Sequence, residues 1–172
     1  SSYKLLPHPS IWFKQRRFIM VDILDLGCGP FQKIDGAIGL DINEAPHVDV
    51  VHDLDVYPYP FKSGQFRHIE MSHIIEHIQH PAKAMDEIYR LAQPEATIRI
   101  ITPHYTSQLS YGDLTHYHHF GYITFTHLCN SGRFKLNSHK IIFTDFYRVI
   151  GISLLANWMP RRWEKYTAFL FP

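Results

Sequence analysis

The chain has 172 residues, of which 45% are hydrophobic and 19% charged, enough for one complete core and too short for two ordinary domains. Seventeen Lys and Arg stand against 16 Asp and Glu, so no global field marks a nucleic-acid or membrane-surface binder, and the expected partner is small or locally recognised. The two cysteines, Cys28 and Cys129, lack metal-ligand spacing and indicate neither a disulfide framework nor a zinc knuckle. A reducing cytoplasm is the compartment this composition suits. The longest apolar run, Val149 to Met159, is broken by Gly151, Ser153 and Asn157 and is too short to cross a bilayer. No charged stretch with an apolar run and a small-residue cleavage site opens the sequence, and Ser1-Ser2 without Met reads as a trimmed start.

In chain order, Val21 to Gly27 is apolar at nearly every position and stops at a glycine, which predicts a strand buried on both faces of a parallel sheet. Two further runs, Ala37 to Ile42 and Val48 to His52, reach acidic residues at or just past their carboxyl ends, Asp41 and Asp53. Polar residues at strand ends suggest the rim of a site. Phe66 to Met71 predicts a fourth strand. Pro81 to Ala92 predicts a helix with Ala84, Met85, Ile88 and Leu91 on one face, ended by Pro94. Thr97 to Thr102 predicts a fifth strand closed by Pro103. Strands alternating with helices or turns argue for a parallel α/β sheet.

Beyond Pro103, the stretch His104 to Tyr122 is dense in Tyr, His, Thr and Gly and has the character of a substrate loop. A helix is predicted at Thr124 to Asn130 and a strand-like run at Lys135 to Phe143. The remainder, Tyr147 to Pro172, mixes Trp158, Trp163, Phe169 and Phe171 with Arg161, Arg162 and Lys165 and reads as partly helical. The whole of 1–172 is therefore expected to be a single domain. It divides into an N-terminal arm (1–20), a cofactor-binding half (21–103), and a substrate loop with C-terminal elements (104–172).

The turn Asp25-Leu26-Gly27-Cys28-Gly29-Pro30 places two glycines after a buried strand, where backbone can come close to a ligand because no Cβ intrudes. A dinucleotide site needs a third glycine where Gln32 stands, and Pro30 removes a backbone donor that a phosphate would use. NAD and FAD are disfavoured on both counts.

Four motifs in order carry a family resemblance: Ile23-Leu-Asp-Leu-Gly-Cys-Gly-Pro30, Gly39-Leu-Asp-Ile42, His52-Asp-Leu54 and Met71-Ser-His-Ile-Ile-Glu-His77. Over Val21 to Thr126 the chain resembles the class I S-adenosylmethionine-dependent methyltransferases, and within them the broad group that methylates quinones and other small molecules. The resemblance implies a Rossmann-like three-layer sandwich, mostly parallel and seven-stranded. S-adenosylmethionine would lie along the strand ends, and S-adenosylhomocysteine would be the product. It further implies that Asp25 faces the amino-acid portion of the cofactor and that Gly27, Cys28, Gly29 and Pro30 allow its backbone approach. Asp41, with Ile42 beside it, would accept from the ribose hydroxyls and Asp53 from the adenine amino group, with Leu54 near the ring. Met71 and Ser72 would offer main chain.

Two departures from the pattern stand out. Nine residues, Pro30 to Ile38, separate Gly29 from Gly39 where the family has a full helix, and Phe31 replaces the third glycine. The first helix is thus expected to shrink to a turn and the cofactor to be more exposed. With no convincing strand after Phe171, the expectation is that the chain is truncated or that the family's last strand is missing.

Methyl transfer from a sulfonium is an in-line displacement, so alignment supplies much of the rate and a base is needed only when the acceptor carries a proton. The catalytic candidates are His73, Tyr105 and His116, each with a plainer reading as a hydrogen-bonded loop or helix-start residue. His77 lies one helical turn from His73, and Asp113, His118 and His119 share the loop of His116. Adjacent side chains such as His116, His118 and His119 rarely converge on one ion, and no metal is expected. Cys28 is expected to be passive. The preferred acceptor is a small molecule, methylated at an O, N or C atom. RNA is an alternative, through Lys14, Arg16, Arg17, Arg161, Arg162 and Lys165 with Trp12 or Trp163 for stacking. So is a non-catalytic methyltransferase-like module serving as a partner subunit. A nicotinamide-dependent oxidoreductase ranks below these. Oligomeric state is open.

Overall fold

The computed structural model describes residues 21–31, 33–129, 132–143 and 151–166. The N-terminal arm, with Trp12, Lys14, Arg16 and Arg17, lies outside them, as do Phe169 and Phe171. Five strands, β1 (Ile23–Leu26), β2 (Ile38–Asp41), β3 (Val50–Val51), β4 (Phe66–Ser72) and β5 (Ala92–Ile101), pair in parallel in the order β3-β2-β1-β4-β5. The first three run outward on one side of β1, and β4 starts again on the other. That reversal opens a crevice at the carboxyl ends of β1 and β4, where open α/β sheets take their ligands.

The core follows the apolar runs. Leu24, Leu26, Leu40, Ile69 and Met71 are fully buried in the central strands. Against them pack Ala84, Met85, Ile88 and Leu91 of helix α1 (Pro81–Leu91). Pro81 sits in the first turn, where its missing N–H has no partner to lose. Each large side chain buried this way contributes on the order of 1.5–3 kcal/mol. Arg90 on α1 donates to Tyr59 O, Phe61 O and Glu87, and Glu87 accepts from Tyr59 N, which ties the β3-to-β4 connection to the helix. The guanidinium beside it holds the Glu87 carboxyl below its ordinary range.

The first connection has the shortened form expected: the described residues between Leu26 and Ile38 form turns without a helix. The other elements are a 3-10 turn at Ile75–His77 and helices α2 (Gln108–Tyr111), α3 (Tyr122–Cys129), α4 (Ile152–Trp158) and α5 (Pro160–Tyr166).

Some boundaries differ from expectation. β5 begins at Ala92, directly after α1, and includes Pro94. Between the pairs Phe66↔Ala92 and His68↔Thr97 the two strands are out of step, and Glu95 in this irregularity has φ 62°. Proline is tolerated there because a bulge leaves its position without a ladder bond to donate. Lys135 to Phe143 is not a strand. Its Ile141 backbone is satisfied by a side chain, since Asn157 accepts from Ile141 N at 2.9 Å and donates to Ile141 O at 2.8 Å. Ile141 and Phe143 join Ala156 and Trp163 in a second, smaller core. The sheet among the described residues therefore has five strands, not seven. Among these residues no helix is long and apolar enough to cross a membrane.

Candidate functional site

The glycine turn after β1 rises into the crevice. Gly27 and Gly29 both have positive φ, 67° and 70°, a region open to glycine and costly for other residues. Their surroundings differ. A Cβ on Gly27 would overlap Cγ1 of Ile74, whereas one on Gly29 would meet nothing within 4 Å. Gly27 is thus required by the protein's own packing, while Gly29 borders open space. Phe31, in place of a third glycine, is 88% exposed.

The acidic residues at the rim are partly occupied. Asp41 Oδ2 accepts from Gly29 N at 3.0 Å and Oδ1 from Asn43 N at 2.9 Å. This anchors the glycine turn to the end of β2. A carboxylate has about four acceptor positions, so two remain. Asp25 is buried and accepts from Ile34 N at 2.9 Å. Burial raises its pKa against the opposing bond from Ile34, and the Glu70 carboxylate adds to the rise. Asp53 is exposed and accepts from Asp55 N, while Leu54 lies in the core. Cys28 is pushed up to about 11, first by burial and then by Asp25 and Asp41, which keeps it a thiol. Ile42 is exposed; Met71 is fully buried and Ser72 is exposed at the end of β4.

Residues 24–100 match the family described as a methyltransferase domain. The fold agrees. A crystal structure of a SAM-dependent methyltransferase from Archaeoglobus fulgidus superposes with a TM-score of 0.57 at 22% identity, covering 79% of this chain and 80% of that one. The complex between the Haloferax volcanii Trm112 methyltransferase activator and a methyltransferase gives 0.50 at 15% identity, covering 63% of this chain; the chain spans 59% of that neighbour. No curated protein sequence matches significantly. S-adenosylmethionine is the cofactor named for the Archaeoglobus fulgidus neighbour. The residues fit it: Gly29 faces open space, and beside it Asp41 retains unused acceptor positions.

The chain continues, past β4, into residues of a different kind. His73 is exposed and has φ 54°, an unusual conformation for a residue with a Cβ. Its N–H donates to Ile101 O at 2.9 Å, and its Nδ1 lies 3.6 Å from Glu76 Oε1. Glu76 is 1% exposed; Oε2 accepts from Thr102 Oγ1 at 2.9 Å, and Oε1 has no hydrogen-bond partner.

The segment beyond β5 is docked against the domain. Tyr105 N donates to Phe120 O at 2.8 Å, and Tyr117 N donates to Glu76 O at 2.9 Å. A buried carboxylate from the far end of the chain fastens it. Glu164 on α5 accepts from Tyr122 N and, at 3.2 Å, from Ile123 N at the start of α3, and stands 3.1 Å from His104 Nε2. Because Thr106 N donates to His104 Nδ1, the proton of a neutral His104 ring is on Nε2 and donates to Glu164. Tyr105 donates its hydroxyl to Glu164 O at 3.2 Å, and burial raises its pKa. A cavity of about 530 Å³ opens here, lined in part by Tyr105, Gly121 and Lys165.

The three neighbouring histidines do not converge. His116 Nδ1 meets Ser110 O, His118 Nε2 meets Gln79 O, and His119 Nδ1 meets Ser110 Oγ. His116 instead turns toward His77, their ring centroids 4.5 Å apart. Sequence reasoning passed over Glu76 and Glu164 as functional groups. Nothing near Glu164 in sequence marks it, whereas Glu76 carried a weak signal as an acid within an apolar run at a strand end.

Proposed function

We propose that this domain transfers the methyl group of S-adenosylmethionine to an O, N or C atom of a small-molecule acceptor in the cytoplasm. The acceptor would enter between the ends of β4 and β5 and the docked segment 104–121. The observation that carries this reading is the pairing at the crevice of an unobstructed Gly29 with the half-used carboxylate of Asp41. The cofactor, when bound, supplies an electrophilic methyl group.

Asp41 would hold the ribose hydroxyls through its two remaining acceptor positions, with Ile42 beside it. Asp53 would accept from the adenine amino group. Gly27, Cys28, Gly29 and Pro30 provide backbone approach, and Met71 and Ser72 offer main chain to the amino-acid portion. Asp25 acts on that portion through the turn it anchors at Ile34. His73, exposed beside the buried Glu76, is the group best placed to take a proton from an acceptor that carries one. Tyr105 and His116, both hydrogen-bonded within the docked segment, would shape the acceptor's surroundings.

A second reading, a module completed by a partner subunit, draws support from α4, where Leu154 is 78% and Trp158 76% exposed. One of the fold neighbours comes from a complex that contains a methyltransferase activator. Calorimetric titration with S-adenosylmethionine, S-adenosylhomocysteine and NAD tests the cofactor. Micromolar binding of the sulfur ligands without NAD, followed by turnover in an acceptor screen, is the expected result. Cofactor binding without turnover across that screen would favour the partner-dependent module.

A further inference from the structure

The geometry points to a binding site for one divalent first-row transition-metal ion formed by Glu76, His77 and His116. One ligand atom of each residue lies within 4.8 Å of the others. Sequence spacing does not bring them together; backbone does. Tyr117 N and His118 N donate to Glu76 O at 2.9 and 3.3 Å, which lays residue 116 against the 3-10 turn carrying Glu76 and His77.

Three independent features prepare these side chains for a cation. The first is Glu76 Oε1, buried and without a hydrogen-bond partner. Leaving a buried acceptor unmet costs about 1–3 kcal/mol, more for a charged group, so such an atom demands an explanation that a cation supplies. The second is the tautomer of His116. Its Nδ1 lies 3.0 Å from Ser110 O, and a carbonyl can only accept, so Nδ1 carries the proton and Nε2 keeps its lone pair.

The third is the tautomer of His77. Thr115 Oγ1 donates its one proton to Asp113 Oδ1 at 2.6 Å, so at 2.9 Å it must accept from His77 Nδ1. Nε2 of His77 is therefore bare as well. Imidazoles that bind metals usually donate their other ring nitrogen to an oxygen in this manner, which fixes ring orientation.

Two imidazoles and a carboxylate suit zinc, iron, cobalt or nickel better than magnesium or calcium. Ligands about 2.1 Å from a tetrahedral ion stand about 3.4 Å apart, so rotations of the side chains close the present spacing. Three protein ligands leave a position open for water or a substrate atom. That the open position takes an oxygen of the methyl acceptor rests on the methyl-transfer reading; the metal site itself does not.

The test uses the full chain, stripped with chelator, loaded with Zn²⁺ or Co²⁺ and desalted, with no S-adenosylmethionine present. Metal content by mass spectrometry and the visible absorption of Co²⁺ are read together, and circular dichroism verifies folding. One ion per chain is expected, with affinity falling at least tenfold in His77→Gln and in His116→Gln. Thr115→Val, which removes the oxygen behind His77, should weaken binding by about 10–100-fold. His118→Gln should bind as the parent does. Failure of folded parent protein to take up a stoichiometric ion would overturn the site, as would uptake unchanged in both histidine variants. Cofactor titrations on the same samples keep this result separate from the fate of the methyl-transfer reading.

Discussion

Gly27 is packed directly against Ile74, with no room for a Cβ between the glycine turn and the residue that precedes the 3-10 turn after β4. The two lips of the crevice therefore brace each other. Gly27→Ala combines a clash with a positive φ and should cost about 2–4 kcal/mol of stability. Gly29→Ala shares the φ but meets no neighbour, and should cost only about 1 kcal/mol while impeding the cofactor. Urea unfolding of the two variants measures the contrast; equal losses would refute it.

Asp41 joins the glycine turn to the end of β2 through Gly29 N and Asn43 N. Asp41→Ala should weaken S-adenosylhomocysteine binding by about 1–3 kcal/mol, roughly 5- to 150-fold in Kd. Calorimetry on folded variant checks this, and an unchanged affinity would remove Asp41 from the cofactor site.

Cys28 is shielded from ionisation by burial and by Asp25 and Asp41. With Cys129 replaced by Ser, alkylation by iodoacetamide at pH 8 should run about 100-fold slower than for a free thiol. The rate should climb about tenfold per pH unit until it levels near pH 11. A plateau below pH 9 would contradict this environment.

Asp25 makes the opposite contribution to that of an ion-paired acid. Its folded-state pKa is raised by burial, so the folded chain holds a proton that the unfolded chain releases. Through this residue stability falls as pH rises from the ordinary carboxylate value of 3.8 to the raised one, and is lowest above it. Asp25→Asn keeps an acceptor for Ile34 N and should flatten that decline. Urea midpoints between pH 4 and 7 read the difference.

Glu164 holds the start of α3 and His104 at once. Glu164→Ala should cost about 2–4 kcal/mol, from a lost helix cap and unpaired buried donors. The damage should be local: limited proteolysis ought to cut within 104–123 while amide protection persists in β1, β4 and β5. Gly121→Ala, whose Cβ would come 2.5 Å from Glu164 Oε1, should reproduce the cleavage pattern.

The central strands were legible because strands buried on both faces read as unbroken apolar runs, here ending at Gly27 or Asp41. The helical face of Ala84, Met85, Ile88 and Leu91 was legible for the same kind of reason, a period matched by burial. The segment 135–143 misled because its apolar residues resemble a strand, yet its backbone partner is the side chain of Asn157 from a distant helix. Local propensity carries no record of such a bond. At the candidate site, motifs contiguous in sequence pointed to the strand-end rim where Gly27, Gly29 and Asp41 lie. The meeting of His77 with His116, and of Glu164 with His104, depends on docking across long stretches of chain and left no pattern in the spacing.

The attachment of residues 104–123 to Glu164 also sets an order of events during synthesis. The five-stranded sheet of the described residues is complete once Ile101 has emerged from the ribosome, so that sheet can settle early. Segment 104–123 must wait until residue 164 has been made, so the nascent chain acquires its sheet first and the segment docked beside it last.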